Sequence, residues 1–257
     1  MAQIERLGSL LTGLIVWIGG VGRMLGQAVF RGPRPPFGGD DIGYQLLQTG
    51  VRSLPTATLM SGFIGMIFSW QFGEALAAFG AVSTLGNVAA FALVRELVPS
   101  IIAVTVGAKM ATGMTAELGS MKVTEQIDAI SSLGADPIKK LVWPRVVAST
   151  IALPLLVVWG NVMALIGGMF IGHVVFGLSY GFFYNSYIDE LVMWHYVGCM
   201  VKSIVFGTLA GIIGCYQGFN TQFGTEAVGV ATTETVVATT IAVVVADFAL
   251  TTIFVQV

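Results

Sequence analysis

FALVRELVPSIIAVTVGAKMATGMTAELGSMKVTEQIDAISSLGADPIKKLVWPR, residues 91–145, contains both an interrupted membrane span and an amphipathic helix pattern. It opens as an apolar run carrying Arg95 and Glu96, passes through a charged, small-residue-rich segment, and closes at Gly134 and Pro137. Charges inside a bilayer need partners, water or cargo to face. A short amphipathic helix needs a surface to lie on, because it is too short to persist alone in water. Together they describe a membrane machine driven from outside the bilayer.

Outward from this segment the composition agrees. Of 257 residues, 55% are hydrophobic and 10% charged, whereas soluble domains carry about 25% charged residues. The chain is therefore expected to be an all-α integral membrane protein. A net charge of −2 leaves no basic footprint for nucleic acid. Cys199 and Cys215 have no metal-binding spacing, and His173 and His195 have no acidic cluster beside them, so no metal site is expected.

A hydrocarbon core of about 30 Å needs about 20 apolar residues per helix. Five spans satisfy this, at about 54–72, 85–106, 146–176, 191–216 and 228–257. The third is long enough to need tilt or a bend, with Pro154 and Gly167-Gly168 as the places for a bend. Residues 1–30 read as an N-terminal amphipathic helix in the interface, with Arg6, Arg23 and Gln27 available to its polar side, in preference to the alternative of a true span. Residues 31–52 read as a polar linker whose Pro and Gly forbid regular structure. Residues 1–52 thus form an N-terminal unit, and 53–257 the five-span domain. The aromatic residues Phe182, Phe183, Tyr184, Tyr187, Trp194 and Tyr196 fit an interfacial belt.

Basic residues set the orientation. Arg31, Arg34 and Arg52 precede the first span, and Lys109, Lys122, Lys139, Lys140 and Arg145 lie between the second and third. These segments are expected on the cytoplasmic side, with the C-terminus outside.

Arg95, Glu96, Lys202 and Asp247 fall inside spans, each costing roughly 2.5–3.5 kcal/mol at the centre of a lone helix. Arg95 and Glu96, as sequence neighbours, point about 100° apart on an α-helix and are expected to be poor partners for each other. Lys202, from another span, is the natural partner for Glu96. The network either knits helices together or lines a polar path.

Val123, Ile127, Ile130 and Leu133 recur at helical spacing, with Glu125, Gln126, Asp128, Ser131 and Ser132 between them. Thr124 is placed to cap a helix over about 124–133, and Glu125 to favour its dipole. Its apolar stripe either folds back on the spans or inserts into a groove of a cytoplasmic partner.

Several of these motifs resemble one family. LVRELVP (93–99), TAELGSMKVTEQIDAISSLGADP (115–137), Pro144-Arg145, ALPLL (152–156), VKSIVFG (201–207), GVATTETVV (229–237) and DFALT (247–251) are similar to the core of MlaE-type permeases, also called YrbE or Mce-associated permeases. FIGM (63–66) with Gln71 adds to the match, which covers nearly the whole chain from about residue 61. The resemblance implies the permease subunit of an ABC transporter that moves phospholipid or related lipid between a bacterial inner membrane and an MCE-domain shuttle protein. It implies a homodimer of five-span subunits, two cytoplasmic ATPases carrying ATP and Mg, and a hexameric MCE-domain shuttle on the periplasmic face. No cofactor is implied on this chain itself, and no covalent chemistry.

On the same resemblance, Thr124, Glu125, Ile127, Asp128, Ile130 and Leu133 belong to the helix coupling to the ATPase. Phe68, Trp70, Phe79 and Val243 line a lipid cavity between subunits, and Arg95, Glu96 and Lys202 match buried charged positions. One position departs: Thr233-Glu234-Thr235 stands where the family pattern has Arg between threonines, which puts any carried-over salt bridge there in doubt. Two other mechanisms compete from the residues alone. A proton-coupled secondary transporter would relay protons through Glu96, Lys202 and Asp247 but predicts inverted repeats, which five unequal spans do not show. An intramembrane enzyme would need a nucleophile–base constellation that the sequence lacks.

Overall fold

The computed structural model describes residues 2–33, 39–222 and 224–255. The Arg6 side chain, Arg34 and residues 256–257 lie outside the described residues. Every regular element described is helical. Among the described residues, six helical stretches are long and apolar enough to cross a membrane, and the chain is an all-α integral membrane protein. The first of these six lies within α1 (Ala2–Arg31), the helix that the sequence places in the interface.

The linker region is not irregular: α2 (Gly39–Thr49) occupies its second half. Asp40 and Asp41 in the first turn complement the helix dipole, and the prolines fall before the helix begins. A short 3₁₀ turn leads into α3 (Leu54–Ala78), with Pro55 in its first turn where a missing N–H costs nothing.

The second span is longer than its apolar length suggests. A single helical rod runs over 82–123, built from α4 (Leu85–Ala92), α5 (Val98–Ile102) and α6 (Ala108–Val123). Widened π-turns at Leu93–Leu97 and Ala103–Gly107 join these pieces. Pro99 explains the first. It has no N–H to offer the carbonyl of Arg95 and its ring crowds that position, so the turn opens. The charged segment that reads as a connection is thus the end of the rod. Its charges find partners elsewhere: Glu117 meets Arg145 at 2.9 Å and Lys122 meets Asp128 at 3.1 Å.

After α7 (Gln126–Ser132) come α8 (Trp143–Val174), α9 (Tyr180–Glu190), α10 (Met193–Phe219) and α11 (Thr225–Val255). Helix α8 continues unbroken through Pro154 and Gly167-Gly168. The glycines serve contact rather than bending. A Cβ at Gly65 would enter the space of the Ala164 carbonyl, and one at Gly167 would collide with the carbonyl of Gly62. Helices α3 and α8 therefore pack backbone to backbone and run parallel, Thr58 meeting Trp159 and Ser69 meeting Gly168. The rod and α10 also run parallel, through Gly107–Ala210 and Ala111–Gly214. Consequently the starts of α3 and α8 and the ends of the rod and α10 share one end of the bundle, where Arg52, Lys122 and Arg145 gather.

At the other end lies α9, and only part of the expected aromatic belt is on the surface. Phe182, Tyr184 and Trp194 are exposed, but Phe183 and Tyr187, four residues apart on one helix face, are buried in the core.

Candidate functional site

The charges inside the spans form one network across three helices, with Lys202 buried and Arg95, Glu96 and Asp247 partly buried. Lys202 on α10 is 1% exposed. Its Nζ donates to Glu96 Oε2 at 2.5 Å and to Thr251 Oγ1 at 2.8 Å, and stands 3.2 Å from Asp247 Oδ1. It also reaches the Arg95 carbonyl at 3.4 Å, the oxygen that Pro99 leaves without its helical donor. Thr251 Oγ1 in turn donates to Glu96 Oε2 at 3.0 Å. Ser100 Oγ lies 2.6 Å from both the Glu96 carbonyl and Asp247 Oδ2.

Arg95 and Glu96 do pair, at 3.3 Å between Nε and Oε1, contrary to the expectation from ideal helical geometry. They sit in the π-turn, where successive residues are less far apart around the axis, and the long Arg side chain folds back. The guanidinium also lies 5.1 Å from the centre of the Phe91 ring, whose other contact is His195, edge to face at 5.5 Å. Two cations and two carboxylates thus balance within one cluster, which offsets the burial of each. Ser100 and Thr251 escaped the sequence reading. Each stands four residues after an acid, Glu96 and Asp247, which is the helical spacing that could have revealed them.

The residues expected to line a lipid cavity do not converge within the chain. Val243 is fully buried in the helix core, and Phe68 is buried with its ring stacked on Phe72 at 4.2 Å. Trp70 is exposed and donates to Glu74 at 3.0 Å, and Phe79 is 84% exposed at the end of α3. The apolar groove lies elsewhere, between α1, α10 and α11, with a volume of about 900 Å³. On α11 it is lined by Val237, Ile241, Ala242 and Val245, facing Leu14 and Trp17 of α1. Val243 is turned away because each residue advances about 100° around the helix.

Glu234 lies at the polar end of this groove beside Thr233 and Gln217. It is exposed and has no ion-pair partner among the described residues. Its neighbour Thr235 is buried instead, with its hydroxyl 2.9 Å from that of Thr115. This contact ties α6 to α11.

The amphipathic helix is shorter than expected and starts later. Thr124 terminates α6, its hydroxyl bonded back to the Ser120 carbonyl, and does not cap α7. Glu125 precedes α7 in a left-handed conformation, φ 59°, which breaks the rod sharply from the next helix. Ile127 is 4% exposed and belongs to the chain's own core, with Ile130 packed against it. Their stripe is therefore spent on the bundle and does not present a free apolar face. What remains outward is Glu125, Gln126, Asp128 and Leu133, the last 87% exposed.

A family model described as permease MlaE matches residues 42–253. The chain is 35% identical over 212 residues to a probable ABC transporter permease protein of Synechocystis, covering 82% of this chain and 81% of that one. It is 36% identical over 242 residues to the chloroplastic protein trigalactosyldiacylglycerol 1 of Arabidopsis thaliana, covering 94% and 69%. A probable ABC transporter permease protein of Rickettsia felis is 34% identical, with 87% and 86% covered.

Proposed function

This chain belongs to the MlaE permease family, and from that premise we propose that it is the lipid-conducting membrane subunit of an ABC transporter. It is a multi-pass permease subunit and carries transport, not covalent chemistry. The observation that bears the lipid reading is the groove of about 900 Å³, apolar along its length with Glu234, Gln217 and Thr233 at one end. An amphiphile matches that division, its acyl chains against Val237, Ile241 and Val245 and its headgroup beside the polar residues. The name of the Arabidopsis relative, which is that of a glycerolipid, supports the same class.

Energy comes from a pair of cytoplasmic ATPases that bind ATP and Mg, as the names of the relatives suggest. They dock at the basic end of the bundle, against the outward residues of α7. Two copies of the chain form the working permease, and an MCE-domain hexamer receives or delivers lipid at the opposite, periplasmic end. The setting is a bacterial inner membrane with the basic end cytoplasmic. ATPase closure moves α7. The rod transmits that movement to the charge network that fastens it to α10 and α11, two of the three helices that wall the groove.

The test is lipid analysis by mass spectrometry on the chain purified with its ATPase, beside an Ile241→Asp variant. Co-purifying lipid that is lost in the variant supports the reading. Lipid-free wild-type protein, or equal lipid in both, overturns it.

A further inference from the structure

A second cavity lies at the basic end of the bundle, between α2 and α6, with a volume of about 710 Å³. Arg52 and Lys109 line it from opposite elements, and neither has an ion-pair partner among the described residues. The cavity's acid, Glu117, is already engaged by the buried Arg145 at 2.9 Å. Neutral polar groups come from Gln45, Thr49 and Ser53, all buried. Met110 and Met114, 3% and 2% exposed, contribute apolar surface.

Two unpaired cations over neutral hydrogen-bonding groups attract a phosphate, as basic residues beside a membrane attract anionic lipid. We propose that this cavity binds a phosphate-bearing anionic headgroup, that of a lipid in the leaflet at the basic end. Its position places the phosphate between α2, which packs against α8, and the cytoplasmic half of the rod. The site is separate from the α1–α10–α11 groove and does not depend on what that groove carries.

The experiment uses the full chain in nanodiscs of equimolar phosphatidylglycerol and phosphatidylcholine, followed by native mass spectrometry of retained lipid. Arg52→Gln/Lys109→Gln is the test variant and Lys140→Gln, on the same end, is the control. Wild-type protein is expected to retain phosphatidylglycerol over phosphatidylcholine, with that preference falling roughly thirtyfold in the double variant and holding in the control. A parallel titration with inorganic phosphate separates the two sources. Saturable phosphate binding lost in the double variant, without a lipid preference, assigns the cavity to free phosphate and overturns the lipid assignment. No preference for either ligand, or equal loss in Lys140→Gln, overturns the site itself.

Discussion

Lys202 Nζ lies 2.5 Å from Glu96 Oε2, and the same ammonium stands 3.2 Å from Asp247 Oδ1. One buried cation therefore serves two carboxylates on two other helices. Replacing Lys202 by Met takes the ion-pair partner from Asp247 and leaves Glu96 with Arg95 alone, and because both acids are partly exposed the expected loss stays below the roughly 3–5 kcal/mol of a broken, fully buried pair. Glu96→Gln leaves Lys202 with Asp247 and is expected to cost less. Combined, the two changes should cost less than their sum, with a coupling of roughly 0.5–3 kcal/mol. Thermal unfolding in detergent measures the cycle, and strict additivity would show that the contact carries no energy.

The α3–α8 contact gives a second expectation. Because Gly65 and Gly167 each face a backbone carbonyl of the other helix, a single methyl must push the helices apart. Gly65→Ala and Gly167→Ala should each destabilise by roughly 1–3 kcal/mol, the usual range for overpacking. Gly113 on α6 has no neighbouring atom within 4 Å of an added Cβ. There Ala should be neutral or stabilising, by up to about 1 kcal/mol of helix propensity. Equal melting temperatures for all three variants would contradict the close approach.

What the sequence made legible follows from how local each signal is. Apolar length alone located the spans, and the cost of a lone charge in lipid sufficed to send Lys202 toward Glu96. The rod's extension to Val123 was hidden because Glu117 and Lys122 look solvent-bound until Arg145 and Asp128 arrive from beyond the turn. Pairing of Arg95 with Glu96 was hidden by an assumed α-helical spacing that Pro99 removes. That Val243 and Ile127 are buried within the chain was hidden for a common reason. Motif resemblance names a segment, whereas the face a residue presents depends on a rotation of about 100° per position.

Tyr187, on α9 outside the spanning helices, is 2% exposed with a hydroxyl that has no hydrogen-bond partner among the described residues. Burial holds its phenol above the ordinary range, which is about 10. An acid whose folded pKa is raised keeps its proton after the unfolded chain has lost it. Stability should therefore hold up to about pH 10 and fall above it. Tyr187→Phe removes an unsatisfied group, so it should be neutral or stabilising near pH 7 and should flatten part of the alkaline decline. A variant clearly less stable than the parent at pH 7 would mean that the hydroxyl does have a partner.

Ile127 within α7 and Leu133 just after it should behave in opposite ways. Ile127 is 4% exposed in the core beside Met114 and Ile213, whereas Leu133 is 87% exposed at the helix end. An Asp at Ile127 buries a carboxylate without a partner, so it should destabilise the membrane domain itself, by several kcal/mol on the scale of buried polar groups. Leu133→Asp changes no internal contact, and its effect on stability should stay within about 0.5 kcal/mol. If the outward end of α7 is what the ATPase grips, Leu133→Asp should nevertheless lose the ATPase on co-purification, with the melting temperature unchanged. The two readouts are the melting temperature in detergent and the ATPase-to-permease ratio after affinity purification. A wild-type ratio for Leu133→Asp would place the ATPase contact on another surface of the basic end.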